Sequence, residues 1–258
     1  MKLYIRYIGM LLKSQMQYKA SFFMMALGQF LISFTAFLEI YFMFSRFHTV
    51  KGFAFSEILI CFAIVLTAFS VTECFVRGFD VFPRLIRSGD LDRILVRPRS
   101  EIFQVLTSNV DFTRMGRLIQ SILVLLYAIP ASKISWSFDK IATMVLMIAG
   151  GMAVFTALFV LYAGISFFTI EGLEFMNIFT DGSREFGKYP LSIYGEGVLK
   201  FFTYVIPIAL FQYYPFLYLT GRSDQVGFAF LPLAGFFFLI PCYGFFKFGL
   251  RKYKSTGS

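Results

Sequence analysis

Residues 84–99 read RLIRSGDLDRILVRPR, with five arginines, two aspartates, a glycine and a proline in sixteen positions. The chain around them is 58% hydrophobic and only 15% charged, with 37 phenylalanines among 258 residues. Soluble domains carry about 25% charged residues, and the mean hydropathy of +0.72 belongs to a protein whose solvent is lipid. A helix needs about 20 apolar residues to cross the hydrocarbon core. Stretches of that length lie on both sides of the charged knot, so it is read as a loop between crossings of an all-α polytopic membrane protein.

Working outward, the apolar stretches give six spans at 21–45, 55–76, 108–130, 141–168, 199–221 and 226–248. Lysine and arginine orient them. Residues 1–20 carry four basic residues and 247–258 another four, both without an acid, and 77–101 carry six; the connectors at 46–54, 131–140 and 222–225 carry two, two and one. The positive-inside rule then places both termini and the 77–107 loop in the cytoplasm. The net charge of +9 is read as loops held near anionic lipid rather than as a nucleic-acid surface.

Residues 1–20 place Ile5, Ile8, Leu12 and Met16 at helical spacing opposite Lys2, Arg6, Lys13 and Gln17, the pattern of an interfacial helix; a plain basic flank to the first span fits the same residues. The region 171–222 fits the six-span drawing least. Residues 171–197 hold four glutamates and one aspartate against two basic residues, and the next apolar segment contains Pro207 and Pro215, each of which removes a helical hydrogen bond. Two drawings stay open: 199–221 crosses, or 171–194 crosses as a polar helix shielded by protein while 199–221 dips in from outside and returns.

Several chemistries are excluded or weak. His48 is the only histidine, and Cys61, Cys74 and Cys242 lack paired spacing, so neither a metal centre nor a disulfide framework is indicated. The stretch GSREFGKY places Gly182, Gly187 and Lys188 as a phosphate loop would, but Tyr189 stands where a small hydroxyl must reach magnesium. The chain is therefore expected to bind no nucleotide and to catalyse nothing by itself. Gln29, Ser33 and Glu39 form a polar stripe on the first span that either lines a path or joins helices. Pro207, Gln212, Tyr213 and Tyr214 sit in the aromatic, proline-broken segment and are candidates for a gate. Ala149, Ala153 and Ala157, with Gly150, Gly151 and Gly164, mark a close-packing seam, within the chain or between two copies.

Within 77–107, Phe82, Leu85 and Ile86 offer one apolar face, and Gly89 suits a left-handed stop. Asp90 reads as the N-cap of a second short helix through Leu91, Ile94 and Leu95, ended by Pro98, which disfavours helix at Arg97. A lipid tether needs basic residues only. Two built helices with both signs of charge suit docking of a partner.

The order SGDLDRILVRPRS (88–100), REFGKYPLSIY (184–194) and FTYVIPIALFQYYPFLYLTGR (202–222) resembles the permease subunit of bacterial type-2 ABC exporters, with a G-x-L-D-x-x-L-x-R-P signature after the second span. The resemblance covers nearly the whole chain. It implies six spans in one permease domain, an amphipathic N-terminal helix, a cytoplasmic coupling helix, and a multi-pass place in the bacterial cell membrane. It also implies a separate ATP-binding cassette subunit carrying the ATP and magnesium, and a second permease forming a homodimer or heterodimer. Under it, Phe82, Leu85, Leu91 and Leu95 enter a groove of the ATPase, while Arg84, Arg87, Asp90, Asp92 and Arg97 fix register. It favours the re-entrant drawing of 199–221, whereas hydropathy favours the plain crossing; Gly195 and Glu196 stand where relatives commonly have proline.

Overall fold

The computed structural model describes residues 2–169 and 174–254. Among these the chain is helical, with one isolated bridge, Val50 to Phe53, closing the loop between the first two long helices. The N-terminal helix α1 (Lys2–Gln15) passes through a 3-10 turn at Met16–Tyr18 into α2 (Lys19–Arg46). No proline or glycine cluster interrupts α2, and its 28 residues reach about 42 Å at 1.5 Å per residue. After it come α3 (Phe55–Phe75), four short helices α4 (Arg77–Asp80), α5 (Phe82–Arg87), α6 (Asp90–Leu95) and α7 (Glu101–Ser108), then α8 (Met115–Ala131) and α9 (Phe138–Ile165).

The charged knot of the sequence is thus folded, as two six-residue helices joined at Ser88 and Gly89. Gly89 has φ +72°, a left-handed conformation that costs other residues about 1–2 kcal/mol. One detail differs from expectation: Gly89 holds the cap position and Asp90 is the first residue of α6. The Asp90 carboxylate accepts from Ser88 Oγ at 2.7 Å and Arg93 Nη1 at 3.4 Å, closing the turn from outside.

Among the described residues, five runs are long and apolar enough to cross a membrane: Tyr4–Arg46, Phe55–Phe75, Phe112–Ala131, Phe138–Ile165 and Gly227–Lys252. The last comprises α14 (Gly227–Phe230), a 3-10 turn and α15 (Ala234–Lys252). The sixth expected span is broken. α11 (Glu196–Tyr204) meets α12 (Ile208–Phe211) and α13 (Tyr213–Leu219) at 88°, because Pro207 has no N–H to continue the ladder.

Contacts fix which ends share a face. Lys51 Nζ donates to Ser192 O at 2.6 Å, Arg222 pairs with Glu57 at 2.9 Å, and Tyr218 Oη donates to Asp139 Oδ2 at 2.8 Å. Ser192 and Arg222, which flank the bent segment, therefore both lie at the face of the 47–57 loop. The C-terminal end of α9 lies at the opposite face, where Phe167 packs on Phe82. Between them runs α10 (Glu174–Gly187), whose Gly187 approaches Val65 near the middle of α3.

Small residues set the helix spacing. A Cβ on Gly116 would lie 1.8 Å from Ala26 O, and one on Gly150 2.4 Å from Pro232 O. The seam of α9 is used within the chain, with Gly151 against Ala68 and Phe211 and Gly164 against Phe245 and Phe246. Gly116→Ala is expected to push α2 off α8 at a cost of about 1–3 kcal/mol, read as a lower melting temperature of the detergent-solubilised protein; an unchanged value would contradict so close an approach.

Candidate translocation path and docking surface

The face of the 77–107 loop is braced from three sides. Gln104 Nε2 donates to Ile94 O at 2.9 Å and Arg99 O at 3.0 Å, tying the 94–99 turn to α7. Lys247 of α15 pairs with Glu101 at 2.9 Å, and Tyr4 and Tyr7 of α1 rest on Phe103. Burial, then the nearby Asp92 carboxylate, pushes the Tyr253 phenol up, and the Tyr253 ring packs edge-on to Phe167.

Those braces decide which residues can meet a partner. Phe82 and Leu91 are fully buried, Phe82 edge-on to Phe167 and Phe246. The apolar face assigned to insertion in a partner is therefore partly the protein's own core. Leu85 is half-buried, whereas Leu95 and Val96 are exposed, Val96 at 84%. Around this tip Arg84, Arg87, Arg93, Arg97, Pro98 and Arg99 are exposed. Asp90 and Asp92 have partners within the chain.

The Glu101 carboxyl is held below its ordinary range, chiefly by the hydrogen bond from Lys247. A depressed folded-state value means the bridge stabilises above the ordinary glutamate range near 4.3 and is lost as pH falls through the lowered value. Acidifying across that window should therefore lower the melting temperature of the wild type more than that of Lys247→Met; equal slopes would show that the bridge carries no linkage.

A second constellation lies where α3, α8 and α2 meet. Glu73, 6% exposed, receives Arg77 at 2.7 Å, Arg114 at 3.0 Å and Arg117 at 2.8 Å. Gln29 Oε1 accepts from Arg114 at 3.1 Å and Arg117 at 2.5 Å, and Asp111 accepts from Arg114 Nε at 3.1 Å. Arg117 and Arg184 both lie over the Phe69 ring, at 5.8 and 5.0 Å.

From this network a cleft of about 200 Å³ opens between α2 and α10, walled by Ser33, Glu39, Arg117, Arg184, Glu185 and Lys188 over a floor of Phe62 and Leu66. The polar stripe on α2 divides accordingly: Gln29 joins α2 to α8, while Ser33 and Glu39 line the cleft. The gate candidates lie elsewhere. Gln212 is buried and donates to Tyr189 O at 2.8 Å, clamping the bent segment to the end of α10; Tyr214 meets Thr203 at 3.4 Å, and Tyr213 meets Tyr214 edge-on. Gly182–Gly187 are helical, so their amides form no phosphate loop. Sequence reasoning missed Arg117, Arg184 and Lys188 as cleft residues; their signal was charge bordering or inside apolar windows, which in membranes marks function or pairing.

The crossing helices and the folded loop between them define the class as a multi-pass membrane protein. The chain belongs to the ABC-2 family of transporters: the pattern described as "ABC-2 family transporter protein" matches residues 30–257. It is a multi-pass membrane permease, not a catalyst on its own. No curated protein and no solved structure matches it.

Proposed function

We propose that this permease is half of an ATP-driven export pathway, driven by a separate ATP-binding cassette subunit that docks on α5, α6 and the turn after them. The observation that carries the reading is the apolar Leu95–Val96 tip within a ring of arginines, on a loop braced to α1, α7 and α15. Such bracing lets a push on the tip move the crossing helices rather than only the loop. ATP and magnesium sit on the partner, and a second permease, identical or different, completes the pathway. The loop and both termini face the cytoplasm of a bacterial cell membrane, as the distribution of lysine and arginine supports.

In this arrangement the 171–194 stretch, whose described helical part is α10, supplies the fifth crossing, and α11 to α13 form a re-entrant element entered from outside; residues 171–173 lie outside the described residues. The shared face of Ser192 and Arg222 supports this topology. The test is co-purification in mild detergent after expression with candidate ATP-binding subunits. A stable complex whose ATP hydrolysis depends on the permease is expected; function in vesicles without any nucleotide would overturn the reading.

A further inference from the structure

We infer that the cleft between α2 and α10 binds the anionic headgroup, a phosphate or carboxylate, of an amphipathic cargo. The inference rests on the transport reading above and names the class of substrate.

Charge and depth argue for an anion. The cations in the wall are deep, with side chains 6% exposed for Arg117, 18% for Arg184 and 12% for Lys188. The acids in the wall are at the rim, Glu185 at 46% and Glu39 at 65%. Asp181, which faces Arg184 at 3.4 Å, is exposed as well. Exposed charges are screened by water and salt while buried ones are not, so the interior of the cleft is cationic although its formal charges nearly cancel. Glu73, behind Arg117, is shared among three arginines, and Arg117 Nε is buried without a partner.

The donor inventory narrows the guest further. The hydroxyls of Ser33 and Thr35 donate to their own helix, at Phe30 O and Ile32 O. The donors left in the wall are therefore guanidinium and ammonium groups, which suit carboxylate and phosphate. Glu185 already shows the binding mode: its carboxylate accepts from Arg184 at 2.7 Å and pairs with Lys188. A guest anion would take that place while half-exposed Glu185 swings to water. Next to the cleft, Leu31 and Ile32 expose apolar surface on α2, where a tail attached to the headgroup would lie.

The test uses the full-length permease in detergent without nucleotide or ATPase, titrated with dihexanoyl phosphatidylglycerol, dihexanoyl phosphatidylcholine and inorganic phosphate. Saturable binding of the phosphatidylglycerol is expected, tighter than the phosphatidylcholine by about tenfold, because the choline ammonium cancels the phosphate's charge and is repelled by the wall cations Arg117, Arg184 and Lys188. Arg184→Gln should weaken it by a similar factor and Glu185→Gln should tighten it, while Lys200→Gln, remote and exposed, leaves it unchanged. Opposite signs at neighbouring positions separate binding from misfolding. Competition by phosphate alone would support a soluble anion as the source, and its failure to compete an amphiphile. Equal binding of both lipids, or no change in either cleft variant, would overturn the inference. Because no ATPase is present, a failure here is distinguishable from a failure of the permease to recruit one.

Discussion

Glu73→Ala is expected to keep the chain from accumulating as a folded protein. One carboxylate with 6% exposure holds Arg77, Arg114 and Arg117 within 3.0 Å, and these reach it from α4, the turn before α8, and α8. Removing a single partner from a buried pair costs about 3–5 kcal/mol, because the remaining charge is left uncompensated in low dielectric. Here three cations lose a shared partner; Asp111 and Asp80 offset Arg114 and Arg77 in part, but Arg117 has no other carboxylate within salt-bridge distance among the described residues. The effect should therefore concentrate on Arg117. Combining Glu73→Ala with Arg117→Met, a neutral unbranched side chain that keeps the inner part of arginine's reach, should recover part of the loss. The measurement is the fraction of monodisperse protein after detergent extraction and heating. A Glu73→Ala protein as stable as wild type would show that lipid or water already solvates the arginines.

This network was the part of the molecule least legible in the sequence. Glu73, Asp111, Arg114, Arg117 and Arg184 are spread over more than a third of the chain, and no periodicity joins a residue at the end of one crossing helix to one in the middle of another. The crossings themselves were legible because α2, α3 and α9 are long runs whose apolar content exceeds any competing reading. Pro207 was legible as a break but not as a direction. That the chain turns back there depends on Lys51 meeting Ser192 and Arg222 meeting Glu57, contacts between loops far apart in sequence. In the 77–107 loop the turn at Gly89 was readable from residue type alone. Which apolar residues faced outward was not, since six-residue helices present too few positions to mark a face, and the core formed with Phe167 and Phe246 takes Phe82 for itself.

Burial also sorts the loop residues into two experimental outcomes. Leu95→Asp combined with Val96→Asp should leave the permease folded and inserted, because both side chains already meet water, yet abolish retention of the ATP-binding subunit. Anchors at the centre of an interface cost about 2 kcal/mol or more when lost, roughly a thirtyfold change in affinity, and an introduced acid adds a desolvated charge to that loss. Asp92→Ala with Arg97→Ala should act less sharply on retention and more on ATP hydrolysis stimulated by the permease, since Asp92 is half-buried and has a partner within the chain. Phe82→Ala should behave differently from both. It empties a site that is 0% exposed, and losing a core phenylalanine costs about 3–5 kcal/mol, so it should lower the melting temperature before any partner is added. The three variants therefore separate contact, transmission and folding on one short stretch of chain. If the Leu95 and Val96 variant still held its ATPase, the docking surface would have to lie on another part of the cytoplasmic face, and the arginines around the tip would revert to an attraction for anionic lipid.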